Sequence, residues 1–375
     1  MFCVSVNRQH IDVLRYLFAS PSVAVPGAPE CSTPKAATVA PRSRADLVRR
    51  FGVLATLFGA SINAAPPEVP NAAAERYPHK AIHLIAVYSP GGLADLVARI
   101  VAAALAEQLA TSVIVDNKAG AGGRIGVEAV VTAPADGYTL GVGTTGPLAI
   151  EPVLDPHLAY DPRRDLAAIS LIASAPQTLV AHPSVPAVDV RELIAYARAN
   201  PGMLNYASPG VGTTGHLAGE LFKSLTEIDI VHVPYKGNQE ALKDVLAGRV
   251  QLLFSPLATV LPFAKSGKLR VLAVAGYERS ALLPEVPTIG EAGVPGAEAV
   301  AWYGLIAPRG TSAAVIRRLN AEVASALARS DVRKHLQQLG AEPASSTPEA
   351  FANLIRDEML KWRSIVVRAK IRPDL

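Results

Sequence analysis

The chain has 375 residues, of which 50% are hydrophobic, 18% charged and 5% aromatic, and its formal net charge is +4. That apolar content is enough for one large or two medium cores and argues against disorder. With no long Lys/Arg block and no acidic run, nothing points to nucleic acid as a partner. Cys3 and Cys31 both lie near the start, so a chain that loses this part has no disulfide, thiol nucleophile or thiolate metal site.

Residues 1–76 read as an N-terminal extension plus an export signal. Arg49-Arg50 precede an apolar run from Phe51 to Ala60, and small residues follow at Ala64-Ala65 and Ala72-Ala73-Ala74. This order is that of a secretory signal, placed around residues 47–74, and the run is too short to span a bilayer. It predicts a periplasmic mature protein. The paired arginines raise the twin-arginine route beside the general one. No cysteine follows the run, which argues against a lipid anchor. Because signals normally begin a chain, translation is expected to start downstream of Met1, the alternative being a genuine extension.

From Tyr77 onward, apolar runs that read as buried strands alternate with helical stripes. The first strand is predicted over 82–87. The turn Pro90-Gly91-Gly92 leads into a helix with apolar pairs at Leu96/Val97 and Ile100/Val101, then Leu105 and Leu109, the four-residue spacing of one helical face. A strand is predicted over 113–116, a helix over 122–132 and a strand over 138–142. Further strands fall at 168–173, 178–181, 204–207, 230–233, 250–254 and 269–275, with helices over 190–200, 214–223 and 239–247. This alternation predicts an α/β protein with parallel sheets covered on both faces. After an apolar run at 302–307, helical stretches over 312–328, 331–339 and 348–369 close the pattern. So many βα units exceed one ordinary sheet, and two lobes are expected.

Two identical hexapeptides, Gly141-Val142-Gly143-Thr144-Thr145-Gly146 and Gly210-Val211-Gly212-Thr213-Thr214-Gly215, each follow a predicted strand and match G-x-G-x-x-G. The pattern raises a nucleotide-dependent oxidoreductase. A dinucleotide site also needs an acid at the end of the next strand to hold the ribose hydroxyls. After Gly215 that strand ends Val233-Pro234-Tyr235-Lys236-Gly237 without one, and Gly146 is followed by Pro147 and a loop-like stretch. Anion capture asks for less. Glycine lets the backbone approach a ligand, and the N–H groups of a helix start carry partial positive charge. Thr213 and Thr214 add hydroxyls, and the loop from Ser89 to Asp95 makes a similar place at the first strand–helix junction. Any one of these loops is an ordinary tight turn; three at the carboxyl ends of strands lie where open α/β sheets bind ligands. Asp95 opens a helix beside the first loop, as its N-terminal cap or as a ligand contact.

The chain shows no G-x-S-x-G elbow, H-E-x-x-H, Walker loop or cysteine-containing metal pattern. No catalytic residue, cofactor or metal is therefore assigned, and the protein is not expected to be an enzyme. His182, His216 and His232 lie far apart on different elements and read as capping, packing or surface residues.

Several of these residues carry a resemblance. The segments Tyr77-Pro-His-Lys-Ala-Ile82, Pro90-Gly91-Gly92 with Asp95, Val115-Asp-Asn-Lys-Ala-Gly-Ala-Gly-Gly123 and Pro134-Ala-Asp-Gly-Tyr138 resemble the Bug-type receptors of tripartite tricarboxylate transporters. So do Leu204-Asn-Tyr-Ala-Ser208, His216-Leu-Ala-Gly-Glu220, Val231-His-Val-Pro-Tyr-Lys-Gly237, Pro284-Glu-Val-Pro-Thr288 and Trp302-Tyr-Gly-Leu305, in order from about Tyr77 to Pro373. The resemblance implies a type 2 periplasmic binding protein fold: two α/β lobes joined by two crossovers, closing on a ligand cleft like a Venus flytrap. One lobe would be 77–176 with 301–375, the other 177–300.

In that family a carboxylate is held largely by backbone amides and waters from two facing loops, here 88–95 and 208–214. The implied ligand-binding residues are Tyr88, Ser89, Gly91, Gly92, Asp95, Thr144, Thr145, Ala175, Ser208, Gly212, Thr213, Thr214, Ser255 and Trp302. The first loop departs from the family's two prolines and three glycines at Ser89-Pro90 and Leu93, and Ser255 stands where Asp or Asn is frequent. These departures bear on which ligand is bound. The implied function is capture of a small carboxylate by a monomer, which delivers it to the inner-membrane permease subunits of a tripartite tricarboxylate transporter. The alternative is a ligand sensor that presents its closed form to a sensor kinase.

Mass spectrometry of protein recovered from the periplasm is expected to find the mature N-terminus between Ala64 and Tyr77. A chain that still contains Cys31 would refute the assignment.

Overall fold

The computed structural model describes residues 77–368 and Ile371; the export signal expected over 47–74 and both cysteines lie outside the described residues. β1 (Ile82–Ala86) is buried except at His83. In α1 (Leu93–Leu109) the face given by the sequence spacing is the packed one, with Val97, Val101, Leu105 and Leu109 buried. β2 (Val113–Asn117), α2 (Arg124–Val131) and β3 (Thr139–Thr144) follow, and β1 pairs parallel with both β2 and β3.

The first hexapeptide is not a loop. Gly141 and Gly143 belong to β3, where side chains would collide with Val130 and Leu148 packed on the sheet. The stretch after it is not a loop either: a π-helical turn, Gly146–Ile150, runs into α3 (Glu151–Leu154), and a short α4 (Pro162–Asp165) comes next.

β4 (Leu166–Ala181), predicted as two strands, is one strand of 16 residues. From Leu166 to Pro176 it pairs antiparallel with β9 (Val300–Pro308). From Gln177 to Ala181 it pairs antiparallel with β7 (Leu252–Pro256) and β8 (Arg270–Ala275). The chain thus leaves one sheet section and joins another in a single residue step. β5 (Leu204–Ser208) pairs parallel with β6 (Ile230–Pro234) and with β7 in the second section. α5 (Val190–Ala199), α6 (Thr214–Thr226), α7 (Asn238–Leu246) and α8 (Leu257–Lys265) connect its strands. α8, which contains Pro262, is not among the helices predicted from sequence.

The sheets are therefore mixed where parallel ones were expected. β4 and β9 pair with strands that are not consecutive with them in the chain, so no single βα crossover sets their direction. After β9, α9 (Ala313–Ala328), α10 (Ser330–Gln338), the short β10 (Glu342–Pro343, paired with β4) and α11 (Pro348–Arg368) return to the first section. One core gathers β1, β3, β9, the first part of β4, α1, α9 and α10; a second joins β5, β7, α7 and α8. Trp302 of β9 is fully buried edge-on to Phe351 of α11, with ring centroids 5.5 Å apart. No helix among the described residues is long and apolar enough to cross a membrane.

Trp302→Ala is expected to lower the unfolding free energy by about 3–5 kcal/mol, because a buried aromatic leaves a cavity that its surroundings fill only in part. Urea denaturation measures this, and a loss below about 1 kcal/mol would show that the Trp302–Phe351 contact does not anchor α11.

Candidate functional site

A small cavity lies where the two sheet sections meet, with room for water of about 30 Å³, roughly two molecules. Three helix starts form much of its wall. Gly92, Leu93 and Ala94 begin α1 after β1, Thr213, Thr214 and Gly215 begin α6 after β5, and Asn238 and Gln239 begin α7 after β6. The first N–H groups of a helix find no carbonyl within it. At α1 and α7 the caps are Gly92 and Gly237, without a side-chain bond, whereas Thr213 caps α6 by accepting from the His216 N–H at 3.3 Å. None of the lining residues carries a positive charge. Burial pushes the Tyr303 phenol well above its ordinary range, so it stays neutral. The two sides touch directly: Gln239 Nε2 donates to Gly91 O at 2.8 Å and Ser89 Oγ to Lys236 O at 3.4 Å.

Of the residues singled out from sequence, Tyr88, Ser89, Gly92, Thr144, Thr213 and Thr214 line this cavity. The others surround it. Thr145 Oγ1 accepts the Trp302 N–H at 2.9 Å, and Trp302 itself turns to Phe351. Strand side chains alternate, so in β9 the cavity receives Ala301 and Tyr303 instead. Ala175 is buried opposite Ala301 in the β4–β9 ladder. Ser255 Oγ donates to Asn238 Oδ1 at 3.1 Å, which positions an amide that does line the cavity. Gly212 points away: its N–H donates to His216 Nδ1 at 3.2 Å, and a side chain there would run into the Glu151 carboxylate.

Asn238, Gln239 and Tyr303 were not singled out, yet they line the cavity, as does Gln177 at the end of the Ala175–Gln177 crossover that the resemblance placed in the cleft. Asn238 and Gln239 follow Gly237 after a predicted strand, the same signal that drew attention to the first two loops. Gln177 is the first residue of β4 in the second section, and its Oε1 is buried without a hydrogen-bond partner.

Below the second loop, histidines distant in sequence meet. His216 stacks on His232 at 4.3 Å and His232 on Tyr206 at 4.8 Å between ring centroids. Ser208 Oγ lies 2.7 Å from His232 Nε2 and 3.1 Å from Gly210 O. Burial, with His216 and Lys223 adding, pulls His232 down to about 3, so the ring is neutral. The stack is the floor on which 208–214 rests. Among the described residues no group of three or more His, Cys, Asp or Glu is placed to hold a metal.

Asp95, in the first turn of α1, does the corresponding work for the first loop. Its carboxylate accepts from Gly91 N–H at 2.9 Å, Asn117 Nδ2 at 2.9 Å and Arg99 Nε at 3.1 Å. Burial works against its charge, but the bonds from Arg99, Gly91 and Asn117 outweigh it and hold the carboxyl below the usual carboxylate range. Asn117 also donates to Tyr88 O at 3.0 Å, tying the loop to the end of β2.

Two sheet sections linked by β4 and by the return into β9, with a helix-lined cavity between them, define a two-lobed periplasmic-type binding protein. Comparison with known proteins narrows this. The model of the tripartite tricarboxylate transporter family receptor, TctC, matches residues 97–371. BugT of Bordetella pertussis is 35% identical over 322 residues, spanning 86% of this chain and 97% of BugT. A Rhodopseudomonas palustris protein solved with adipate is 37% identical, with TM-score 0.77 over 79% of this chain and 99% of that one. MatC from the same organism, solved with bound malate, is 33% identical with TM-score 0.73, over 77% of this chain and all (100%) of MatC. The chain belongs to the tripartite tricarboxylate transporter receptor family and has the type 2 periplasmic binding protein fold.

Asp95→Ala is expected to cost about 1–2 kcal/mol of stability at pH 7, discounted for the half-exposed Arg99. A depressed pKa stabilises the fold above the unfolded value of about 3.9, and the benefit fades as the pH falls below it. Thermal unfolding of the two proteins from pH 7 to pH 3 should converge; a constant gap would mean that the Asp95 charge contributes nothing.

Proposed function

We propose that this protein is an exported, periplasmic receptor that captures a small carboxylate between its lobes and delivers it to the membrane subunits of a tripartite tricarboxylate-type transporter, without transforming it. The observation that carries this reading is the meeting of three helix starts from both sides at one cavity that no cation lines. Helix starts favour anions through their free N–H groups and the helix dipole. A hydrogen bond to a charged group is worth about 1.5–3 kcal/mol, so three or four such donors offset the several kcal/mol needed to bury a carboxylate. The adipate and malate held by relatives support the same chemistry.

The cavity, with room for roughly two waters, is too small for a six-carbon diacid to enter. Capture then needs the lobes, 77–176 with 301–375 and 177–300, to part and reclose about the passes at Pro176–Gln177 and Ala299–Val300. The positive, apolar and small-residue order over 47–74 supports export.

Calorimetry with adipate and malate tests the site. Thr214→Asp adds a favourable charge to the first turn of α6 but repels an anion beside it, so it is expected to bind at least about tenfold more weakly, 1.4 kcal/mol, with unchanged circular dichroism. If no member of a panel of short mono- and dicarboxylates gives heat with the wild type, the reading fails. Unchanged affinity in Thr214→Asp would move the site away from α6.

A further inference from the structure

Glu151 is a buried carboxylate that the receptor reading leaves unused. It begins α3, is 5% exposed, and borders a second cavity, of about 560 Å³, lined from both sheet sections. Two glycines from opposite sections face it. At Gly122 (φ +62) a Cβ would come within 2.9 Å of Glu151 Oε1 and would strike Val211 O. At Gly212 (φ +73) it would strike the carboxylate itself. Both take a left-handed backbone that glycine adopts freely, and their missing side chains let the carboxyl press against the opposite loop.

What Glu151 lacks is a donor. Among the described residues no hydrogen bond reaches its carboxyl oxygens. The Gly212 N–H goes to His216 Nδ1, the Tyr88 hydroxyl to Gly122 O and the Tyr160 hydroxyl to Pro147 O. Arg124, the neighbouring cation, is 3.7 Å from Glu151 Oε2 but 2.7 Å from Asp155 Oδ2, so Asp155 holds it. Hydrogen bonds from the His157 N–H and Arg124 keep Asp155 below the usual carboxylate range, charged beside Glu151. Burial pushes Glu151 up to about 7; Arg124 opposes this and Asp155 adds to it. Burial keeps Tyr88 and Tyr160 neutral. Across the larger cavity stand Tyr235, Lys236 and Glu240.

Resting on the receptor reading, we infer that Glu151 is a proton-dependent latch: the lobes close on the ligand with this carboxyl neutral, and parting them returns it to water, where it ionises. A neutral carboxyl needs no counter-charge where the lobes close, and the Val211 carbonyl crowds the same Gly122 position from the other section. Parted, the group has an ordinary Glu pKa of about 4.3; closed, it titrates near 7. Closure is therefore favoured at low pH, and the advantage is lost as the pH rises between these values, by up to about tenfold in affinity per pH unit. Capture takes up a proton from solvent, and release returns it.

Calorimetry with adipate as the probe, at pH 6.5 in buffers of different ionisation enthalpy, counts that proton. The wild type is expected to take up more than about half a proton per adipate and Glu151→Gln close to none. The Gln variant, a neutral isostere, should bind at pH 8 as tightly as the wild type does below about pH 4, and therefore more tightly than the wild type does at pH 6. A side chain needed only for packing would not produce that rescue. Equal proton uptake in the two proteins overturns the latch. Small-angle scattering without ligand gives a second reading: the wild type should be more extended at pH 8 than at pH 5.5, and Glu151→Gln equally compact at both. If adipate gives no heat, the receptor reading fails for this ligand while scattering still decides the latch; a wild type that does not respond to pH, or a variant that responds equally, overturns it.

Discussion

A helix that begins at an interior surface leaves its first N–H groups facing inward with no carbonyl to accept them. Three helices of this protein begin that way around one small cavity. The rest of the architecture follows from holding these starts in place. Each is fixed by the strand that delivers it: β1 ends at the first loop, β5 at the second and β6 at Gly237. Each loop is also braced from behind by groups that do not reach the cavity. Asp95 and Asn117 gather the first loop, while Ser208, His216 and the neutral His232 carry the second. The polar residues of the site thus divide into a wall and a frame. Buried hydrogen-bonded frames of this kind hold backbone donors in position without asking them to reorganise.

The second constraint is the passage of β4 and β9 between the two sheet sections. A strand that pairs with one section up to Pro176 and with another from Gln177 must keep its hydrogen bonds through the step. Gln177 N–H does so by donating to Ala299 O at 2.9 Å, and Ala299 N–H by donating to Ala275 O at 2.8 Å. The connection is narrow and extended, the geometry from which two-lobed proteins obtain rigid-body motion. Around it the sections meet through backbone and small side chains such as Gly91, Gly122 and Gly212. The Glu151 carboxyl is buried at that meeting, with Arg124, Asp155, Lys236 and Glu240 around the same cavity.

Much of the plan was legible in one dimension. The alternation of strand and helix, the buried face of α1, the two lobes, and the first two strand–helix junctions that wall the cavity all follow from apolar periodicity and from glycine placed at helix starts. These are local properties, set by residues within a turn or a strand of one another. The family segments follow as well, because they occur in order along the chain.

What only the tertiary structure decided is which side of each element faces the cavity and which distant residues share it. Trp302 and Tyr303 are adjacent and both aromatic; the pairing of β9 with β3 and β4 turns Tyr303 inward and gives Trp302 to Phe351. Asp95 was read from sequence as a cap or a ligand contact; the position of Asn117 and Arg99 turns its carboxylate onto its own loop. The two hexapeptides are identical, yet one is strand and the other a helix start, because Val130 and Leu148 pack over the first. His216 and His232 became a stack, and Glu151 became a buried acid, through contacts between elements dozens of residues apart. The sequence by itself determined most of the elements and the α/β class, since periodicity and turn chemistry are local. Side-chain facing, burial and charge state depend on register and on the approach of the two lobes, and those are set by packing between segments that no local pattern encodes.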